Sequence, residues 1–395
     1  MGRNSKITWN PYTPGYFENP YDHLRQCREE NPVHIGMQNS WMFFRYEEVS
    51  DILRSGEFEV SEINEYFKQK EDYIFSGSGQ CPYLSKGTKQ WPMYLNGEHH
   101  KRVRMAMGKA FNSMPLAQLI KESIEECHLQ FASFERLDIT DYCAQFIFLV
   151  VEKMFGVSNY ESLDKIRLYS NLLARSQDLF IPKQVYLDIN KQFLWGKKIF
   201  SGSPYQEMIE SSLEKDDAEE DLYSIMAISL MAAFETSKDN LSLSLYQILR
   251  KPDLIDTILS CSTQELNLLI EELFRFSSPL QYTVRINRKP LFVDGMEISE
   301  NSKLYLCLAS ANRDSDKFDK PDELVADRNP NDHLSFGGGV HYCLGATIAR
   351  QELRHCLKPM AQFLKDYQLA SPEPIKWSKQ IFMRTAKSIA VELKK

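Results

Sequence analysis

Phe336-Gly337-Gly338-Gly339-Val340-His341-Tyr342-Cys343-Leu344-Gly345 runs directly into Ala346-Thr347-Ile348-Ala349-Arg350. Three consecutive glycines let the backbone turn tightly and pass close to a flat surface with no Cβ in the way. Leu344–Leu364 reads as a long helix, so Cys343 stands at a helix entrance. Unpaired amides and the positive end of the helix dipole favour a thiolate at such a place. A cysteine after a glycine-rich turn is, taken alone, most often a core residue. Here the turn and the helix entrance coincide.

The rest of the composition bounds the reading. The chain has 395 residues with 47 basic and 54 acidic side chains, a formal net charge of −7. That balance argues against a sequence-independent nucleic-acid binder, which carries a basic excess. Hydrophobic residues make up 43% and charged residues 26%, which excludes wholesale disorder. The longest apolar runs, Phe146–Val151 and Ile228–Phe234, fall well short of the roughly 20 residues that span a bilayer. Met1–Tyr12 lacks the basic-then-apolar order of a signal peptide. The expectation is a cytoplasmic protein with no membrane anchor and no nucleic-acid partner, its eight cysteines present as thiols. No CxxC pair supports a structural zinc site.

Outward from the cysteine stretch, apolar periodicity predicts helices over Pro20–Asn31 and Glu47–Arg54 with a hairpin in Val33–Phe44 between them. Glu62–Trp91, with Gly77, Gly79, Pro82 and Gly87, reads as a long loop-like insertion, a kind of segment that is often functional. His99 to Arg250 is largely helical, broken at Gly196–Pro204 and at the acidic run Glu214–Asp221, a solvated helix entry. Leu222–Leu249 reads as one long helix and Leu266–Phe276 as another. Lys289–Leu308 predicts short strands around Asp294-Gly295, a hairpin signal. Ala311–Val340 is irregular, and a short β-like tail follows the last helix. The expected fold class is mainly α with a minor β part. It is read as one domain over 1–395, with a β-containing N-terminal part at 20–95, a helical core at 96–280 and the cysteine loop at 336–345.

A thiolate placed as Cys343 is, with Gly345 permitting close approach, suits the axial position of a heme iron and pushes electron density toward it. The stretch resembles the Phe-x-x-Gly-x-x-x-Cys-x-Gly signature of the cytochrome P-450 family, the heme-thiolate monooxygenases. The resemblance runs from Pro20 to the end of the chain, with motifs in the family's order. It implies the family's fold, a triangular helical prism with a small β-rich side, and heme b as cofactor with Cys343 as iron ligand. Phe336 and Gly345 then belong to the heme-binding loop.

Further motifs carry the resemblance. Glu272-Leu273-Phe274-Arg275 matches Glu-x-x-Arg, two side chains on one helix face. In the family that pair is buried and joined by a meander arginine, here Arg328 in Pro321-Asp322-Glu323-Leu324-Val325-Ala326-Asp327-Arg328. Leu324 and Val325 stand where related sequences often have Phe-Asp, and Ala311-Asn312-Arg313-Asp314 resembles the stretch just before. Ala232-Ala233-Phe234-Glu235-Thr236 resembles Ala-Gly-x-Glu/Asp-Thr, the oxygen-activation segment. A mid-helix threonine can bond back to the carbonyl four residues earlier, and an acid beside an alcohol can relay protons. Ala233 replaces the commoner glycine, and Lys238 is an unusual charge so near the site. His100 and Arg104, four apart on one helical face, match the propionate-binding pair, with Arg285 and His341 as further partners.

The family implies O2 as co-substrate and a small organic substrate, in secondary metabolism, presented either free or on a carrier protein. Electrons are expected from a separate ferredoxin or flavodoxin with its reductase, because the chain ends soon after the cysteine motif. Arg102, Lys109, Arg350, Arg354 and Lys358 form a basic docking patch for such a partner, or merely a solvated basic face. By alignment the substrate pocket draws on Phe180, Ala232, Ala233, Leu280, Gln281, Thr283 and Phe382. Alternatives are desaturation, oxidative coupling or peroxide-driven oxidation on the same heme, and a non-catalytic heme or ligand binder. The Glu235-Thr236 pair argues against peroxide use and against the binder.

Overall fold

Tyr46–Arg54 buries Tyr46, Val49, Ser50, Ile52 and Leu53, the spacing that a helix with one apolar face requires. Ser262 opens Thr263–Phe276 with a capping box to Glu265, and that helix buries Leu266, Leu269, Ile270 and Leu273. The computed structural model describes residues 7–62, 67, 72, 75, 81–156, 163–178, 181–199, 202–212, 219–370 and 374–395. The chain divides into two compact units, one of 1–61, 261–343 and 377–385, the other of 62–260, 344–376 and 386–395. One of the boundaries falls between Cys343 and Leu344.

The first unit is built on a five-stranded sheet of order β1-β2-β8-β5-β3, from β1 (Val33–Ile35), β2 (Trp41–Phe43), β3 (Phe58–Glu59), β5 (Thr283–Asn287) and β8 (Lys303–Leu306). Val33 pairs with Phe43 in the predicted hairpin, and Arg285 of β5 lies opposite Leu304 of β8. Val33, Phe43, Val49, Leu53, Leu304, Leu306, Phe318 and Leu334 meet in its core. Asp294 and Gly295, at φ 50° and 72°, join β6 (Leu291–Val293) to β7 (Met296–Ile298) as the hairpin signal indicates.

The second unit is helical. Glu219–Leu249 packs on Ile139–Phe155, Leu163–Arg175 and Pro82–Thr88, and Ala346–Leu364 packs on Leu116–Phe131. A second sheet joins β4 (Arg136–Asp138), β9 (Tyr367–Leu369), β10 (Ile375–Trp377) and β11 (Ala386–Leu393), with β11 pairing both β4 and β9. Among the described residues, no helix is long and apolar enough to cross a membrane.

Two expectations are corrected. Within Glu62–Trp91, much of which lies outside the described residues, Pro82–Thr88 is a helix rather than loop, begun by a proline whose missing N–H costs nothing in the first turn. The helix Lys183–Ile199 continues through Gly196 instead of breaking there. Both Gly87 and Gly196 are close-contact positions. A Cβ would overlap the Phe193 ring at the first and the Tyr169 hydroxyl at the second.

The glycine run packs onto Tyr46–Arg54. Gly339 holds φ +63°, and a Cβ there would overlap the Leu53 carbonyl oxygen and lie 3.2 Å from Arg54 Cα. Gly15 has φ +81° with nothing within 4 Å. Gly15→Ala should therefore cost about 1 kcal/mol, the strain alone, and Gly339→Ala about 3 kcal/mol or more, with unfolding in urea as the readout.

Candidate active site

In the first unit the cysteine loop closes on itself. Gly337 N–H donates to Leu334 O at 2.9 Å, Tyr342 N–H to Gly339 O at 3.1 Å, and Cys343 N–H to Phe336 O at 2.8 Å. Cys343 follows the 3-10 turn Gly339–His341 and precedes Gly345, the N-cap of Ala346–Leu364. None of the eight cysteines is in a disulfide, and Cys343 is the one that is exposed. His341 beside it is half-buried. Gly345 has φ −82°, a conformation open to any residue, so its backbone does not demand glycine.

The loop is braced by Thr263–Phe276. Phe336 packs against Phe274 with ring centroids 4.7 Å apart, and Ser335 Oγ donates to Phe274 O. Two residues before Phe274, Glu272 accepts from Arg275 Nε and Nη2 at 2.7 Å each and from Arg328 Nε at 2.9 Å. Val325 N–H and Asn331 Nδ2 complete its shell. Burial would raise the Glu272 carboxyl, but the Arg275 bonds and charge, the Val325 N–H and Arg328 hold it below the ordinary carboxylate value. Glu272, Arg275 and Arg328 are thus assembled as one buried cluster. Asn331 and the Val325 N–H carry no sequence signal of their own.

Arg285 is 5% exposed. Its Nη1 donates to Val284 O at 2.9 Å and Thr283 Oγ1 at 3.4 Å, and among the described residues it forms no ion pair. Burial pushes its guanidinium down to about 10. A buried cation in a site with no carboxylate beside it calls for an anionic group.

In the second unit, Thr236 Oγ1 donates to Ala232 O, the back-bond expected of a mid-helix threonine. Ala232 is exposed and Ala233 half-buried, while Glu235 is buried. Lys238 does not point away from this segment. Its Nζ donates to Glu235 Oε2 at 2.7 Å. Ser237 Oγ donates to Glu352 Oε2 at 2.7 Å, a link from the long helix to Ala346–Leu364 that sequence reading misses because neither residue stands in a recognisable motif. Burial pushes the Glu352 carboxyl up to about 7, against the opposing Ser237 bond. His100, buried, and Arg104, half-buried, share the helix Gly97–Asn112.

The residues proposed for the substrate pocket are less uniform. Phe180 lies outside the described residues. Gln281 spends its side-chain amide on Ser278 O and Pro279 O, and Thr283 Oγ1 accepts from Arg285. Leu280 packs against the first unit's core, and Phe382 packs edge-on to Tyr282 at 5.5 Å.

Residues 264–393 match the family model described as Cytochrome P450. The polyketide biosynthesis cytochrome P450 PksS of Bacillus subtilis is 23% identical over 99% of this chain and 100% of its own length. The biotin biosynthesis cytochrome P450 of the same organism is 26% identical over 91% of this chain and 92% of its own. The crystal structure of P450BioI in complex with an acyl carrier protein ligated to hexadec-9Z-enoic acid superposes with a TM-score of 0.83 at 23% identity, covering 96% of this chain and 99% of that one.

Two outcomes follow from the geometry. Arg275→Met strips Glu272 of its bidentate partner inside a buried cluster and should cost about 3–5 kcal/mol in urea unfolding. The Glu352 carboxyl is raised from its ordinary 4.5 to about 7. Its contribution to stability is then fully present below 4.5 and is lost as pH rises through 7. Glu352→Gln, which keeps the neutral form, should exceed the parent by on the order of 2–3 kcal/mol at alkaline pH. The gap in thermal unfolding should close toward acid.

Proposed function

Because the chain belongs to the cytochrome P450 family, whose members are monooxygenases that bind heme b, we propose that it inserts one oxygen atom of O2 into a small organic molecule in the cytoplasm. A separate ferredoxin or flavodoxin with its reductase supplies the electrons. The observation that carries this reading is Cys343, the one cysteine of eight that is exposed, fixed by its N–H to Phe336 O ahead of a long helix.

The residues of the first unit fit the heme. Cys343 is a soft donor for the iron, and Arg285 is a buried cation in want of an anion, which a propionate is. His341, in the same loop, would be a further propionate partner, and the family pattern gives His100 and Arg104 on the helix Gly97–Asn112 the same role. Phe336 and Gly345 would pass close to the porphyrin, and the Glu272, Arg275 and Arg328 cluster would brace their loop through Phe274. When bound, the heme supplies O2 activation at a thiolate-ligated iron.

The chain's own part is to position the substrate and deliver protons. Thr236 presents a hydroxyl held by Ala232 O, and Glu235 stands beside it as the acid. That pair favours the reductase-fed reaction over direct use of peroxide. The family pattern assigns the substrate side to Ala232 and Ala233 of the long helix and to Leu280, Gln281, Thr283 and Phe382 of the first unit; Phe180, also assigned, lies outside the described residues. Gln281 acts there by shape, since its amide is already bonded. The relatives named for polyketide and biotin biosynthesis support a biosynthetic intermediate as substrate, free or on a carrier protein. Arg102, Lys109, Arg350, Arg354 and Lys358 would receive an acidic electron donor.

The test is the reduced-plus-carbon monoxide difference spectrum. The parent protein should give the strongly red-shifted Soret band of thiolate ligation, and Cys343→Ala should lose it. An unshifted band in the parent, or no heme, refutes the reading.

A further inference from the structure

Within the first unit, residues 7–14 are held by two histidines. Trp9 N–H donates to His34 Nε2 at 2.9 Å, and Asn10 N–H donates to His23 Nε2 at 3.1 Å. A ring nitrogen that accepts carries no proton, so both imidazoles are bare at Nε2. For His34 the other side of the ring fixes the tautomer, because Nδ1 lies 2.7 Å from Asn31 O, a carbonyl that only accepts. Asn31 also holds the segment directly, its Nδ2 donating to Ile7 O at 2.9 Å. Trp9 is buried. Its Nε1 donates to Tyr16 OH at 3.0 Å, and its ring stands edge-on to Tyr282 at 6.3 Å. His34 is 5% exposed and stacks on Phe44 with centroids 5.2 Å apart, so a charge on it has little water to turn to.

The groups around the two rings do not offset such a charge. Tyr16 faces His23 edge-on at 5.9 Å, and Cys27 Sγ lies 3.8 Å from His23 Nε2. Cys307 and Glu30 act on Cys27, and Arg384 acts on Tyr16 while donating to Phe17 O at 3.1 Å and Glu18 O at 2.9 Å. Burial pushes the Tyr16 phenol up and the Cys27 and Cys307 thiols up to about 12, so none of them changes charge near neutral pH. Asp22, next to His23 in the chain, is taken by Asn19 and Arg25. Burial lowers both histidines, a charge on His34 lowers His23 further, and the Asn31 carbonyl opposes burial at His34.

We propose that residues 7–14 are a strap that neutral His34 and His23 hold closed as acceptors, and that protonation of the two rings releases it. A proton from solvent on either Nε2 sets a donor against the N–H of Trp9 or Asn10 and breaks that bond. Gly15, at φ +81° with nothing within 4 Å, is the point of turning, while Arg384 keeps Phe17 and Glu18 in place. Both histidines lie below their ordinary 6.5 in the closed strap. Their contribution is therefore complete above 6.5 and is lost as pH falls below it. Release uncovers Trp9 and the face of Tyr282 that it covers.

Hydrogen exchange of the full-length chain, read by mass spectrometry and corrected for the intrinsic pH dependence of exchange, follows the strap directly. Peptides covering 7–14 should be protected at about pH 7.5 and lose protection toward about pH 5. The loss should be about tenfold for each unit by which the two histidines together are lowered. Thr263–Phe276 of the same unit should keep its protection. His23→Gln/His34→Gln, whose side-chain carbonyls accept but do not titrate, should show the same strap protection at both pH values. Protection of 7–14 that does not change with pH in the parent overturns the proposal, as does a change that survives in the double variant. So does a loss shared equally by Thr263–Phe276, which is acid unfolding of the whole unit. Should the double variant fail to fold, His23→Gln decides: the pH-dependent loss should shrink, and an undiminished loss overturns the joint release. No substrate or electron donor enters the measurement, so its outcome is independent of the reaction proposed above.

Discussion

Glu272, a charge with no solvent access, organises the irregular half of the first unit. A buried carboxylate must have its lone pairs filled, and this one accepts five hydrogen bonds from Arg275, Arg328, Val325 and Asn331. The arginines then use their remaining N–H groups on carbonyls that no helix or sheet serves. Arg275 takes those of Asn312, Pro321 and Glu323, and Arg328 takes those of Asp319 and Lys320. Asn312 passes the constraint onward, accepting from Leu334 N–H and donating to Ser335 Oγ at the foot of the cysteine loop. One side chain therefore orders a stretch with almost no regular structure of its own.

That dependence explains what was legible in the sequence. Tyr46–Arg54 and Thr263–Phe276 could be read because their apolar spacing is helical and, in the second, a capping box marks the start. The Asp294-Gly295 hairpin could be read because few residue pairs tolerate two positive φ angles in succession. The strand Thr283–Asn287 escapes because its two faces bury unlike residues, Arg285 and Asn287 on one side of the alternation and only half-covered positions on the other. Gly87 and Gly196 read as breakers because a sequence shows the missing side chain but not the Phe193 or Tyr169 ring that fills its place.

The site was legible where motif and chemistry coincide and opaque where a contact is made across the fold. Cys343, Glu272, Arg275 and Thr236 stand in recognisable spacings. The partnership of Ser237 with Glu352 joins positions 115 apart and is invisible without coordinates. Lys238 could be seen as an odd charge near the oxygen-activation segment, yet not as the partner of Glu235, because a side chain at i,i+3 has several rotamers open to it. Gln281 shows the converse, a polar residue in a promising place whose hydrogen bonds are already committed.

The glycine run has a further meaning. Gly338 and Gly339 are small because they lie against Leu53 and Arg54 of another helix, while Gly337 meets only the His341 carbonyl at 3.8 Å. Two of the three are thus conditioned by a segment some 285 residues earlier in the chain. The loop is not a portable cassette. Grafting the ten residues onto another scaffold would carry over the composition without the surfaces that shape it, Tyr46–Arg54 on one side and Thr263–Phe276 on the other.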